Sequence, residues 1–380
     1  MQISSFRGRG KVVSVLLAGG QGSRLHELTE TECKPAVPFA GNRRIVDWTM
    51  GNVVRSGLDD LIVATQYRPQ TLTSHLERRW RPAFDRGGLL VRHGPTVTGR
   101  PQGFVGTADA VTRCIADIDL RAPDHVVVLA ADHIYEMDYG TMIAAHRGAR
   151  AAVTVAVDSV PVWKAQSFGV VATAADGRIA RFLEKPEDPP HMPEDPSRAR
   201  VSMGIYVFDW GWLRAALLAD AEAPRSAHDF GHDLLPRAVK EGVAMAFDAG
   251  DMAGDAFYWR DVGTLDAYRL AQLDFRGDRR PCAIPDYPVA KRSAAQDAAS
   301  AKLRADGNVV LPDSWVSPGA RLKRTIVAHR AHIPPDVVIG EDHDEDAKWF
   351  RVTEGGTTLV TQAMLKRRAG QRSRAICLAP

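Results

Sequence analysis

The amino-acid sequence predicts an α/β protein, a mostly parallel, mixed sheet covered by helices, followed by a small module of parallel β-helix character. Three observations carry this. Through residue 275, short apolar strands alternate with amphipathic stretches, the pattern of strands joined by crossover helices. Between residues 276 and 308 the composition turns to Arg, Pro and Asp and then to small polar residues, as expected of a linker. From Val309 to Gly340, apolar residues recur singly or in pairs every five to seven positions with Gly and Pro at the corners, room for about two coils of a hexapeptide-repeat β-helix. The chain of 380 residues is therefore expected to divide into a domain over 1–275, a linker over 276–308, and a small domain with its tail over 309–380.

The first strand, Val12–Leu17, runs into Ala18-Gly-Gly-Gln-Gly-Ser-Arg24, and Lys34-Pro35 follows ten residues after Arg24. Glycines let backbone N–H groups close on a phosphate, and Arg24 and Lys34 add fixed positive charge. Gly19, Gly20, Gly22, Ser23, Arg24 and Lys34 thus read as a cradle for a nucleoside triphosphate. Two commoner glycine loops are excluded. A P-loop needs Lys-Ser/Thr directly after its last Gly, where Ser23-Arg24 stand, and a dinucleotide fingerprint needs Gly or Ala where Leu25 stands.

Further along, helical spacing of apolar residues covers Ile45–Ser56, Pro69–Arg79, Ala108–Ile118 and Tyr139–Arg147. Apolar runs predict strands at Asp60–Ala64, His125–Ala131, Ala152–Val157, Gly169–Ala172 and Met203–Phe208. The prolines between Lys185 and Pro196 rule out a helix there. Asp132 comes just past a buried strand, at the carboxyl end where ligands gather in open α/β sheets.

Composition narrows the class. The chain is 45% hydrophobic and 25% charged, with a formal net charge of +3, which calls for no nucleic acid. The four cysteines (Cys33, Cys114, Cys282, Cys377) lack CxxC spacing, against zinc sites or a disulfide framework. The start Met1-Gln-Ile-Ser-Ser-Phe-Arg lacks an apolar signal core, and no run approaches membrane-spanning length, so no membrane partner and a cytoplasmic location are expected.

The pattern Gly-Gly-x-Gly-Ser-Arg-Leu with a later Lys-Pro resembles the sugar-nucleotide pyrophosphorylases. More closely, Gly106-Thr-Ala-Asp-Ala-Val111, Leu129-Ala-Ala-Asp-His-Ile-Tyr135, Phe182-Leu-Glu-Lys-Pro186, Ser202-Met-Gly-Ile-Tyr-Val-Phe-Asp209, His228-Asp-Phe-Gly231 and Tyr258-Trp-Arg-Asp-Val-Gly-Thr264 stand in the order seen in bacterial glucose-1-phosphate adenylyltransferases (ADP-glucose pyrophosphorylases). The resemblance is dense over 12–275 and loose over 309–366. It implies a Rossmann-like nucleotidyltransferase domain with a small left-handed β-helix-like domain, and transfer from ATP to α-D-glucose 1-phosphate for glycogen biosynthesis. No protein nucleophile is needed for such a transfer; in-line placement and charge neutralisation suffice. Arg24, Lys34 and Asp132 would be catalytic, and Asp132 with Asp261 would hold Mg²⁺ through hard oxygen ligands.

By the same resemblance, Gly106, Thr107 and Asp109 join the glycine loop in nucleotide binding. Phe104, Gly169, Glu184, Lys185, Ser202, Tyr206, Asp229, Phe230 and Trp259 surround the sugar phosphate, with Glu184 accepting from hydroxyls and Lys185 pairing with phosphate. Arg44 and Lys366 are the regulatory candidates, and a homo-oligomer, dimer or tetramer, is expected. His133 and His228 read as structural. The chain departs from the family at Phe104-Val105, where Tyr-Arg is usual, at Leu90–Pro95 in place of a glutamine-rich adenine segment, and at Thr29–Cys33 in place of a stretch of activator-binding cations. Two alternatives stand beside this reading: the same chemistry with another base or sugar, or a non-catalytic regulatory subunit. Retention of Arg24, Lys34, Asp132, Lys185 and Asp261 argues against the second.

Overall fold

The computed structural model describes residues 10–84, 88–250, 257–276, 279–285 and 306–377; most of the expected linker, residues 277–278 and 286–305, lies outside the described residues. The chain forms two compact units, one of Met1–Gly20, Trp48–Ala131 and Tyr135–Trp259, the other of Gln21–Asp47, Asp132–Ile134 and Arg260–Pro380.

The first unit is built on a nine-stranded sheet. Its strands are β1 (Val12–Ala18), β2 (Asp60–Thr65), β3 (Gly88–His93), β4 (His125–Ala130), β5 (Val153–Pro161), β6 (Gly169–Thr173), β7 (Ile179–Glu184), β8 (Arg198–Asp209) and β9 (Ala244–Asp248). β1 lies between β2 and β4, parallel to both, with Val15 opposite Ile62 on one side and Val128 on the other. A strand paired on both edges and covered on both faces is mostly apolar, and Val13, Val15 and Leu16 are fully buried together with the single polar residue Ser14. β3 extends the parallel half. Helices close over the sheet through Ile118, Leu213, Leu217, Phe230 and Leu234, which pack on Val126, Val128, Val153 and Val155.

The other half is antiparallel and turns on β8, the longest strand. It pairs β5 along its length, β6 at Val201 and β4 from Tyr206 onward. Its register against β5 slips between Ser202 and Tyr206. This bulge re-aims the two side chains, so that the Ser202 hydroxyl lies 3.5 Å from the Tyr206 hydroxyl. β7 closes one edge against β6, and β9 runs parallel to β5.

The structure corrects the expected helix Ala108–Ile118, which is two helices, Thr107–Thr112 and Ile115–Arg121. The Cys114 amide reaches back only three residues, to Val111, at 2.9 Å. That tightened turn re-phases the chain and leaves Ala108, Val111, Cys114 and Ile118 all in the core.

In the second unit the expected hexapeptide pattern forms three parallel ladders, one on each side of a coil. Val309 pairs with Ile326, Trp315 with His332 and Arg321 with Val338, so one coil takes seventeen residues. Leu322, Val327, Ala331, Ile333 and Ile339 fill the coil. A hairpin follows, in which Arg351–Val352 pairs antiparallel with Thr358–Val360, itself parallel to Thr325–Val327. The segment expected as a tail contains a helix, Gln362–Cys377, anchored by Met364 and Leu365 against the coil.

His146, on the helix Tyr139–Ala149 of the first unit, is 1% exposed; its Nδ1 lies 2.8 Å from the Thr154 hydroxyl and its ring meets that of His125 edge-on at 5.1 Å. Burial, reinforced by His125, pulls its pKa down to about 4 from 6.5. A depressed histidine resists protonation only in the folded state, so its contribution is complete above pH 6.5 and is lost as pH falls toward 4. Denaturant titrations should show the unfolding free energy dropping across that window by up to about 3 kcal/mol, with a flatter profile in His146→Gln. Parallel profiles for the two proteins would refute this.

Candidate active site

After β1 the chain leaves the first unit at Gly19-Gly20 and enters the second with two short 3₁₀ turns over Ser23–Thr29. Gly22 sits at φ 68°, and a Cβ there would lie 2.6 Å from the Cβ of Lys34, so both backbone conformation and space require glycine. Leu25 and Leu28 are buried under the turns, and the Thr29 hydroxyl donates to the carbonyls of Gly22 (3.0 Å) and His26 (3.1 Å). Ser23 and Arg24 are left exposed.

Below the loop lies a compact charged cluster within this unit. Lys34 is 4% exposed, and its ammonium donates to Asp132 Oδ2 at 3.0 Å and to Asp261 Oδ1 at 2.9 Å. Asp132 immediately precedes the short strand His133–Tyr135 and Asp261 ends the short strand Trp259–Asp261, and these two strands pair with each other. Arg24 Nη2 stands 3.9 Å from Asp261 Oδ2, and His133 Nε2 lies 3.6 Å from Asp132 and 4.0 Å from Asp261. Burial alone would raise the Asp132 carboxyl, yet the Lys34 charge holds it well below the usual carboxylate range. Burial would likewise lower Lys34, but two carboxylates keep its ammonium above its ordinary value. One ligand atom from each of Asp132, His133 and Asp261 lies within 4.8 Å of the others. Two converging carboxylates with a cation already between them are a fitting donor set for a hard divalent ion.

In the first unit the carboxylate of Glu184, at the end of β7, is the centre of a second group. It accepts from the Lys185 ammonium at 2.7 Å. Gly169 and Gly231 leave it room, since a Cβ on either would come within 3.0 Å and 2.4 Å of Glu184 Oε2. Tyr206 stacks on Phe230 with centroids 5.6 Å apart, and Trp259 packs against Phe168 at 5.3 Å. Asp229 caps the turn Phe230–Leu234, accepting from the amides of Gly231 (2.8 Å) and His232 (3.2 Å), and also accepts a hydrogen bond from the Thr107 hydroxyl at 2.8 Å.

Other expected binding residues are engaged internally. The amides of Ala108 and Asp109 point at the His228 carbonyl, which comes so close that a Cβ on Gly106 would overlap it. Asp109, 6% exposed, accepts from Arg100 (3.1 Å), the Val105 amide (3.0 Å) and Arg113 (2.9 Å). Phe104 is buried with Ala64 and Ala110. Arg44 donates to Glu32 at 2.9 Å and to the Ala36 carbonyl, and Lys366 is exposed on the last helix. Sequence reasoning did not single out Gln66, directly after β2, which accepts from the Phe104 amide at 2.8 Å and lies against Gly19, Gly94 and Gly103. Its only signal was a polar residue at a strand's carboxyl end.

Comparison with known proteins places the chain in a family. Residues 13–276 match the nucleotidyl transferase family, and residues 295–360 match the GlmU-like C-terminal hexapeptide family. Among curated proteins, the glucose-1-phosphate adenylyltransferase of Jannaschia sp. (strain CCS1) is 41% identical over 93% of this chain and 96% of its own length. That of Cereibacter sphaeroides (strain ATCC 17029) is 38% identical over 94% and 96%, and glucose-1-phosphate adenylyltransferase 2 of Alkalilimnicola ehrlichii is 38% identical over 92% and 93%. Among the described residues no helix is long and apolar enough to cross a membrane.

Replacing Lys34 by Met would leave two carboxylates facing each other without their counterion. The expected loss of stability is about 2 kcal/mol, less than for a fully buried pair because Asp132 keeps 38% side-chain exposure. Millimolar divalent cation should restore part of the lost melting temperature in Lys34→Met and raise the wild type less. Unchanged melting of the metal-free variant would show that Lys34 is not the counterion of the pair.

Proposed function

The chain belongs to the glucose-1-phosphate adenylyltransferase family, and we propose from this premise how its residues join ATP and α-D-glucose 1-phosphate into ADP-glucose and pyrophosphate. The observation that carries the proposal is the pair of carboxylates, Asp132 and Asp261, bridged by Lys34 and flanked by Arg24. An oxygen of the sugar phosphate attacks the α-phosphorus, and pyrophosphate departs from the opposite side. Barrier lowering then comes from alignment and from opposing the charge on the phosphoryl oxygens. The Cys33 and Cys114 thiols are unsuited to nucleophilic attack, since burial pushes Cys33 up to about 11 and Cys114 up to about 12.

Nucleotidyl transferases of this kind generally use a divalent metal, and Mg²⁺ is our reading, with Asp132 and Asp261 holding it. Bound there, the ion supplies positive charge to the transferring phosphoryl group. Arg24 and the amides of the Gly19–Ser23 loop bind the triphosphate, and Lys34 neutralises charge that builds on the leaving pyrophosphate. In the first unit, Lys185 takes the sugar's phosphate, while Glu184 and the Ser202 and Tyr206 hydroxyls bond glucose hydroxyls. Phe230 and Trp259 supply apolar faces for the ring, and Gly169 gives it space. Asp229, Thr107, Gly106, Asp109 and Phe104 hold the walls of the sugar and nucleotide sites. The product is the glucosyl donor for glycogen biosynthesis, made in the cytoplasm by a homo-oligomer, dimer or tetramer.

Pyrophosphate release measured across the four nucleoside triphosphates and several sugar 1-phosphates should favour ATP with glucose 1-phosphate. Preference for another base would move this chain to a sister reaction. Asp132→Asn should fold normally and lose on the order of 10²–10³ in turnover, because a charged ligand at the reacting phosphate becomes neutral. Wild-type turnover in the folded variant would remove Asp132 from the mechanism.

Regulation by a sugar bisphosphate should be weak. Arg44 already has the Glu32 carboxylate as partner, and Glu30 and Val105 supply no cation. Millimolar fructose 1,6-bisphosphate should change the initial rate by less than about twofold, since an effector bound equally poorly by both states shifts neither. A severalfold rise in apparent ATP affinity would contradict this.

A further inference from the structure

Within the second unit, the hairpin Arg351–Val360 touches the supports of two charged residues from opposite ends. At one end, Arg351 forms a two-pronged ion pair with Glu27, Nε to Oε2 at 2.7 Å and Nη2 to Oε1 at 2.6 Å. Glu27 lies three residues after Arg24 on the paired 3₁₀ turns. At the other end, the Thr353 and Thr357 hydroxyls donate to Asp266 Oδ1, the former at 3.0 Å, and Arg269 donates to Thr357 at 2.9 Å. Asp266 and Arg269 belong to the helix Leu265–Asp274, which starts four residues after Asp261. The hairpin thus fixes one element that carries Arg24 and another that follows Asp261, the two residues that stand 3.9 Å apart.

The backbone between Arg24 and Glu27 makes this grip consequential. His26 separates the two turns at φ 51°, ψ −125°, a conformation disfavoured for any residue with a Cβ. Such a residue persists only where its flanks are held. Leu25, Leu28 and Thr29 are held by burial, whereas the outward side of the second turn is held by Arg351 through Glu27, a carboxylate with 15% side-chain exposure. With the ion pair cut, the bend at His26 keeps the Thr29 hydroxyl bonds to the Gly22 and His26 carbonyls but loses its outward hold, which gives the turn bearing Arg24 room to shift.

We propose that Arg351, on the hexapeptide module, is a positioning residue for Arg24, so that the C-terminal module sets the geometry of triphosphate binding through the Arg351–Glu27 pair. This rests on the reading that Arg24 binds the triphosphate, and Arg24→Ala is the control for it.

Steady-state pyrophosphate release in the full-length protein tests the proposal. Arg351→Ala should lower kcat/KM for ATP by about tenfold, as expected for a misplaced binding group. The KM for glucose 1-phosphate should stay unchanged. Arg351→Lys, which keeps the charge and loses the fork, should fall between wild type and Ala. Glu27→Arg with Arg351→Glu should recover most of the loss, and these two variants carry the test should Arg351→Ala fold poorly. In Arg24→Ala, adding Arg351→Ala should cost nothing further, because a positioning residue has no effect once its client is gone. Full ATP kinetics in a folded Arg351→Ala, additive losses in the double variant, or equal losses toward both substrates would overturn the proposal. If Arg24→Ala itself leaves ATP kinetics unchanged, the reading of Arg24 falls; if Arg24→Ala is impaired and Arg351→Ala is not, only the positioning role falls.

Discussion

One buried ammonium organises the second unit. Lys34 reaches Asp132 and Asp261, residues from segments 98 and 227 positions away, and joins three stretches of chain that are otherwise remote in sequence. Two carboxylates at this separation repel unless a cation stands between them, and a lysine with 4% exposure can remain charged only beside carboxylates. Each partner therefore depends on the others. Gly22 is part of the same constraint, because only a residue without a side chain lets the glycine loop lie against the Lys34 stem.

The parts of this arrangement that sequence made legible are local ones. The glycine loop, the Lys34-Pro35 pair and the strand before Asp132 each carry their signal within about twenty residues, and a parallel strand buried on both faces, such as β1, advertises itself as an apolar run that only Ser14 interrupts. The hexapeptide coil was legible for the same reason, since each rung repeats its pattern at a fixed interval.

What stayed hidden was set by partners far away in sequence. β7 and β9 are short strands with exposed or half-buried residues, and nothing local says that they join a sheet. The bulge in β8 is visible only once β5 supplies a register to slip against. The break in the helix after Thr112 escaped notice because its apolar spacing fits one continuous helix as well as two tightly joined ones. At the sites, Glu27 and Arg351 are 324 residues apart, and neither lies in a motif. The amides of Ala108 and Asp109 donate to the His228 carbonyl, a partner remote in sequence that no local pattern announces.

The two groups of candidate residues solve different physical problems. Around Glu184 the construction is steric: glycines at 169 and 231 leave a carboxylate room, and aromatic rings shape what lies beside it, as recognition of a neutral sugar requires. Around Lys34 the construction is electrostatic. Arg24, Lys34, Asp132 and Asp261 sum to no net charge, so the cluster satisfies itself and the fold does not bear unpaired buried charge. A metal–nucleotide complex also brings both signs. Carboxylates that exchange an ammonium for a divalent ion, and cations that exchange carboxylates for phosphate, give up each internal pairing for an external one of the same sign. The cluster is thus self-satisfied while its charges stay matched to those of a metal–nucleotide complex, and no part of such an exchange calls for a covalent intermediate on the protein.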